Sequence, residues 1–133
     1  MTPTLEQTSL LSQMQTVECY FQTFNQGDFL ATAQLFAESG QLLPPFETPI
    51  LGQDAIHDYL EQEAAGMQAT PKEVCTELLE AGYQRITVRG NVKALVFSVN
   101  AAWIFELDPQ EKILQVEVRL LASLQDLLAI RPA

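Results

Sequence analysis

The hydrophobic pattern of this chain changes its period once, and that change constrains the fold more than any other feature. Up to about residue 66, apolar residues recur every three or four positions, which is the spacing of helices packed on one face. After Pro71 they alternate with polar residues, which is the spacing of half-buried strands. The sequence therefore predicts three helices followed by a curved antiparallel sheet, an α+β layout with the helices on one sheet face and a short C-terminal helix at the end.

The first half contains three helices with recognisable ends. The first spans about residues 6–25 and ends at Asn25-Gln26-Gly27; its apolar stripe is Leu10, Met14, Val17, Phe21 and Phe24, with Tyr20 at the edge. The second, FLATAQLFA, has Asp28 as its N-cap and turns three residues inward: Leu30, Ala33 and Phe36. The third begins after Gly52 and ends at Gly66, with a core face of Ala55, Ile56, Tyr59, Leu60 and Ala64. A short strand at residues 41–43 stops at Pro44-Pro45, because proline cannot donate to a ladder.

The second half predicts four strands and a terminal helix. The strands span residues 74–79, 83–88, 92–107 and 112–121, and the DPQEK turn joins the last two as a hairpin. Ser123 caps the terminal helix. The inner sheet face carries no ionisable group on the last two strands: it consists of Phe97, Val99, Ala101, Trp103, Phe105 and Leu107, and of Leu114, Val116, Val118 and Leu120.

Composition excludes several classes of function. At 133 residues we expect one domain, with residues 1–7 as a flexible N-terminus. A net charge of −10 disfavours binding to nucleic acid or anionic lipid. We expect no stable membrane insertion, because no window approaches the 18 or so apolar residues that a spanning helix needs. Cys19 and Cys75 lack metal or redox spacing, so we expect reduced thiols in a cytoplasmic protein. No metal, nucleotide or haem motif is present.

Two polar side chains on otherwise apolar faces leave two interpretations open. Tyr20 and Trp103 are either ordinary core residues or the donors of an apolar ligand cavity between the first helix and the sheet. An enzyme is the main alternative. It would need a carboxylate in the cavity, which Glu106 and Glu117 would supply only if the strand register slipped by one residue. His57 lacks a neighbouring nucleophile and is expected to be a solvated helix residue.

A third alternative is a dimerisation module that works without a ligand. It would pair through the outer sheet face, which includes Ile104 and Ile113 in the predicted register.

Four segments resemble a known family: YFQTFNQGDF, LFAESGQLLPPFETPILGQDAI, VNAAWIFELDPQEKI and LLASLQDLL. From Val17 onward the chain is similar to the carotenoid-binding C-terminal domain of the orange carotenoid protein family, within the nuclear transport factor 2-like superfamily. It resembles the stand-alone cyanobacterial homologues of that domain, because it has no room for the helical N-terminal domain. The stretch KALVFSVN is shorter than the family's, so the mouth of the pocket is expected to differ.

The resemblance implies a ligand and the residues that hold it. Tyr20 and Trp103 would donate hydrogen bonds to the ring keto oxygen of a ketocarotenoid of canthaxanthin, echinenone or 3'-hydroxyechinenone type. The ring's apolar surroundings would be Phe24, Met67, Val99, Ala101, Phe105 and Val118. Glu63 matches a glutamate that pairs with the other domain in the full protein, so here it is expected at the surface or against a partner.

The implied function is a carotenoid carrier in photoprotection that also quenches singlet oxygen and is not an enzyme. The alternative that the superfamily resemblance implies is a ketosteroid isomerase-like or dehydratase-like enzyme on the same fold. The implied partners are a second copy of the chain when loaded, or a helical carotenoid protein that accepts the pigment.

Overall fold

The computed structural model describes residues 5–121, with side chains from Met14 onward. The elements, in chain order, are α1 (Leu5–Gln26), α2 (Phe29–Gln34), β1 (Phe36–Leu43), β2 (Ile50–Leu51), α3 (Gln53–Glu63), β3 (Gln68–Leu78), a 3-10 turn (Glu80–Gly82), β4 (Gln84–Lys93), β5 (Ser98–Leu107) and β6 (Ile113–Leu121). The helix expected after Ser123 lies outside the described residues, as do residues 1–4 of the expected flexible N-terminus.

One curved sheet packs against the three helices, which confirms the α+β prediction. Its strand order is β2-β1-β6-β5-β4-β3. Neighbouring strands are antiparallel except β1 and β6, which pair in parallel, so the sheet is mixed. The parallel pair joins strands from opposite halves of the chain, and no local pattern in the sequence encodes it.

The predicted strand over residues 92–107 is wrong, because it contains a hairpin turn. Val92 and Lys93 end β4, and a tight turn closes when the Ala94 N–H donates to the Phe97 carbonyl at 2.9 Å. The turn contains none of the Gly, Asn, Asp or Pro residues that announce most hairpins. The predicted register nevertheless holds: Trp103 pairs with Val88 and Val118, on the inner face.

Strand β3 begins at Gln68, earlier than predicted, and contains Pro71. The strand tolerates this proline because it lies at the edge of the sheet, where a missing N–H breaks no ladder, and a bulge follows it between Pro71 and Glu73. Opposite the bulge, a Cβ at Gly90 would overlap the Thr70 carbonyl oxygen. Glycine at position 90 therefore lets the edge strand approach closely.

Three inward positions were predicted wrongly on the helices and the last strand. Helix α2 ends at Gln34, so its inner face is Phe29, Thr32 and Ala33, while Leu30 is 51% exposed. Ala55 is also exposed, because α3 turns Ile56 and Leu60 to the core instead. A register shift beside Leu107 turns Ile113 inward, where it is fully buried. The predictions that Leu114 faces inward and Ile113 faces outward are therefore both wrong.

An aromatic cluster between α1 and β5 supports the central core. The Tyr20 ring meets Phe105 edge-on with ring centroids 5.1 Å apart, and Phe21 meets Trp103 edge-on at 4.9 Å. These edge-to-face geometries are the ones that aromatic quadrupoles favour. These ring contacts hold both Tyr20 and Trp103 in place from within the core.

Candidate ligand-binding site

A cavity of about 340 Å³ opens at one end of the sheet. Its walls come from the second half of α1, the end of β1, the loop that follows it, α3, and the facing ends of β4, β5 and β6. The loop, residues 44–49, is called the strap below. The residues that line the cavity are Tyr20, Phe24, Leu42, Pro44, Pro45, Phe46, Glu47, Tyr59, Leu60, Glu63, Ala64, Met67, Val92, Phe97, Val99, Trp103, Val118 and Leu120.

Tyr20 contributes a hydroxyl to an otherwise apolar part of this wall. The residue is 2% exposed, and its ring stacks on Phe24 with centroids 6.2 Å apart. Burial raises the pKa of the Tyr20 hydroxyl above its ordinary value, because the phenolate would lose its hydration. The hydroxyl therefore stays protonated and able to donate. Tyr20 lines the cavity, and none of the hydrogen bonds between described residues involves its hydroxyl.

Trp103, on the inner face of the sheet, contributes the second donor. It lies on β5 between Val88 and Val118 and is 3% exposed. No described residue accepts a hydrogen bond from the indole N–H. A buried indole N–H normally has a partner, so Trp103, which lines the cavity, is suited to donate to a ligand acceptor.

Six of the eight residues expected around the ligand line the cavity, and two lie elsewhere. Tyr20, Trp103, Phe24, Met67, Val99 and Val118 all contribute to the wall. Ala101 and Phe105 do not; both are fully buried in the core, and Phe105 lies behind the Tyr20 ring. The strap and Tyr59 were missed as lining residues, although the Pro44-Pro45 pair signals a rigid loop at the end of β1.

Two carboxylates and a tyrosine give the cavity mouth a polar side. The Tyr59 hydroxyl donates to Glu47 Oε2 at 2.7 Å. Burial of the Tyr59 ring, then this hydrogen bond and the nearby charges of Glu47 and Glu63, raise the pKa of Tyr59. Glu63 is exposed, as expected, yet it also lines the mouth.

The remainder of the mouth is apolar and open to solvent. Phe46 is 95% exposed, and the turn between β4 and β5 exposes 99% of Leu95 and 87% of Val96. Phe97 and Leu120 continue this surface into the cavity wall. These five residues are called the apolar rim. Large exposed apolar side chains beside a cavity indicate a place where a ligand or a partner binds.

The carboxylates that an enzyme would need on the sheet face away from the cavity. Glu106 forms an ion pair with Arg85 at 3.5 Å, and Glu117 pairs with Arg119 at 2.8 Å, both on the outer face. His57 lies 3.3 Å from Glu61 on α3 and does not line the cavity.

Both cysteines, Cys19 and Cys75, are free and exposed, and neither lines the cavity. Within residues 5–121, no cluster of three metal-ligating side chains occurs. None of the described helices is both long and apolar enough to cross a membrane.

The chain belongs to the nuclear transport factor 2 (NTF2) domain family, whose model matches residues 12–120. Within that family it is similar to orange carotenoid-binding proteins. It is 37% identical over 117 residues to that of Limnospira maxima and 36% identical to that of Synechocystis sp. (strain ATCC 27184 / PCC 6803 / Kazusa). Each alignment covers 85% of this chain but 37% of the relative, so the chain spans under two fifths of their length, corresponding to their C-terminal domain.

Solved structures support the same assignment. The orange carotenoid protein of Anabaena (Nostoc) sp. PCC 7120, solved with canthaxanthin, superposes with a TM-score of 0.77 at 37% identity, over 86% of this chain and 38% of that one. The Fremyella diplosiphon OCP1 structure gives a TM-score of 0.78 at 34% identity, over 89% and 38%. An epoxide hydrolase/cyclase-like enzyme, SalBIII, is 18% identical with a TM-score of 0.67 over 87% of this chain and 94% of its own, which shows a shared fold alone.

Proposed function

We propose that this protein binds one end of a ketocarotenoid in the cavity, with the Tyr20 hydroxyl and the Trp103 N–H donating to the ring keto oxygen. The observation that supports this most directly is that Tyr20 and Trp103 line one apolar cavity and that neither donor is hydrogen-bonded to a described residue. The similarity to carotenoid-binding proteins supports the class of ligand. Canthaxanthin, echinenone and 3'-hydroxyechinenone are the expected types, since each carries a keto group on a terminal ring.

Apolar contact supplies most of the affinity in this proposal, and the donors set the orientation. Burying an end ring of roughly 200 Å² would contribute about 5 kcal/mol at about 25 cal/mol per Å². Two neutral hydrogen bonds would add about 1 kcal/mol each. Donation to the keto oxygen also draws electron density along the polyene, so bound pigment should absorb at longer wavelength than free pigment.

The length of the pigment leads to the proposed homodimer. A globular chain of this size has a radius of gyration of about 14 Å, whereas a forty-carbon carotenoid is about as long as a bilayer core is thick, roughly 30 Å. One cavity of about 340 Å³ therefore holds an end of the molecule and leaves the remainder outside. A second copy, apposed at the apolar rim, would cover the other end and bury both rims.

A pigment held at its ends by apolar contact can also be released. We therefore propose a carrier that passes the carotenoid to a helical carotenoid protein and, while loaded, quenches singlet oxygen in photoprotection.

The proposal is tested by making the protein in cells that synthesise canthaxanthin and recording visible spectra across a size-exclusion run. We expect red-shifted pigment at the size of a dimer. In the variant Tyr20→Phe with Trp103→Phe the pigment should be blue-shifted or lost, while Tyr83→Phe, which removes a hydroxyl far from the cavity, should behave as wild type. Colourless protein from the wild type would refute the proposal.

A further inference from the structure

The strap is attached to the rest of the protein at its base and, beyond Pro44, at one other point. At the base, β1 and β2 pair through Gln41–Leu51 and Leu42–Ile50, and the Gly52 N–H donates to the Gly40 carbonyl at 2.9 Å. Pro44 is buried. From Phe46 to Pro49 every side chain is exposed, and among the described residues the only hydrogen bond that reaches the strap is the one from Tyr59 to Glu47.

The strap forms a thin wall between the cavity and the outer surface. Pro44, Pro45, Phe46 and Glu47 line the cavity on one side and, with Arg119, an open groove on the other. Displacing this wall would therefore widen the opening of the cavity to solvent without disturbing the sheet.

The composition of the strap makes it stiff within itself. Prolines occupy three of its six positions, which fixes their φ angles and leaves only Phe46, Glu47 and Thr48 with backbone donors. Phe46 adopts a φ of 62°, a left-handed conformation that is uncommon for a non-glycine residue and persists only when its surroundings hold it. A stiff segment held at its base and at one point moves as a unit when that point is released.

We infer that the strap is a lid over part of the cavity mouth and that the hydrogen bond from Tyr59 to Glu47 is the latch that holds it in place. This inference rests on the proposed function for the identity of the ligand, but the lid itself is a property of the cavity. The latch joins α3 to the strap across the mouth. Loss of the latch changes how often the lid moves aside and leaves Tyr20 and Trp103 unchanged.

A latch affects rates and leaves affinity nearly unchanged, which separates it from a ligand contact. Tyr59→Phe removes only the hydroxyl and keeps the ring that packs against the core. We expect uptake and release of the ligand to quicken together by about fivefold, which corresponds to the loss of about 1 kcal/mol for one hydrogen bond at a solvent-exposed rim. The dissociation constant should stay within about twofold of wild type.

The lid can be measured without any carotenoid, because Trp103 is the only tryptophan and lies in the cavity. Acrylamide quenching of its fluorescence in the unloaded protein reports how often the mouth opens. We expect stronger quenching in Tyr59→Phe and in Glu47→Ala, and no further increase in the double variant, because both changes break the same bond. Tyr83→Phe is the matched control and should quench as wild type.

Exchange of canthaxanthin with phosphatidylcholine vesicles, followed by its visible absorbance, gives the two rates for the same variants. Parallel acceleration of uptake and release, with stronger quenching, supports the lid. Stronger quenching in a protein that takes up no canthaxanthin supports the lid and refutes the proposed function. Unchanged quenching in Tyr59→Phe overturns the lid, and a changed dissociation constant with an unchanged uptake rate overturns it in favour of direct ligand contact by Tyr59.

Discussion

Replacing Phe105 with leucine tests how strongly this side chain supports the site from the core. Phe105 is fully buried and meets the rings of Tyr20 and Phe21 at centroid distances of 5.1 and 6.0 Å. Each such aromatic pair contributes about 0.5–1.5 kcal/mol beyond its buried area. Losing both should therefore lower the free energy of unfolding of the ligand-free protein by about 2 kcal/mol.

Urea denaturation of the ligand-free protein measures this loss. With a slope of about 1.5 kcal/mol per molar, the midpoint should fall by about 1.3 M at unchanged slope. The matched control is Phe46→Leu, the same change at a 95% exposed ring, which should alter stability by no more than about 0.5 kcal/mol. If the two variants had equal midpoints, the support that we assign to Phe105 would be incorrect.

Three smaller predictions concern charge and hydrogen bonding. Tyr20 and Tyr59 have raised pKa values, with burial as the main cause. Their contribution to the free energy of unfolding is therefore complete below about pH 10 and is lost as the pH rises towards the folded-state pKa values. Neither side chain should show phenolate absorbance at pH 11 while the protein is folded. Asn25→Ala removes two hydrogen bonds to the Ala69 backbone, at 2.8 and 2.7 Å, and should lower the free energy of unfolding by about 2 kcal/mol in urea denaturation. Unchanged stability would contradict a stabilising role for these two bonds. Asp28→Ala should cost about 1 kcal/mol by the same assay, whereas Asp28→Asn, which keeps a capping oxygen, should cost little.

The parts of the fold that depend on local pattern could be predicted from the sequence. The 3.6-residue period gave α1 to within one residue at each end, and Asp28 caps α2 as its side chain predicts. The inner face of β5 also followed, because alternation leaves only one register in which Glu106 and Glu117 avoid the core.

The parts that depend on contacts between distant segments could not be predicted. The parallel pairing of β1 with β6 and the bulge that turns Ile113 inward are properties of the assembled sheet. The hairpin turn at residues 94–97 lacks turn residues, so period 2 runs through it unbroken. Of the cavity lining, Tyr20 and Trp103 could be named from the resemblance. The contact between Glu47 and Tyr59 across the mouth could not, since nothing in the sequence links these two residues.

The most direct test of the account compares two pigments that differ only at the terminal rings. Canthaxanthin carries keto groups, and β-carotene is the corresponding hydrocarbon without them. We predict that wild type binds canthaxanthin about tenfold or more tightly than β-carotene, since two hydrogen bonds contribute about 2 kcal/mol. In Tyr20→Phe with Trp103→Phe this preference should shrink to about twofold or less. An equal preference in the two proteins would mean that these donors do not bind the keto group, and the central claim would fail.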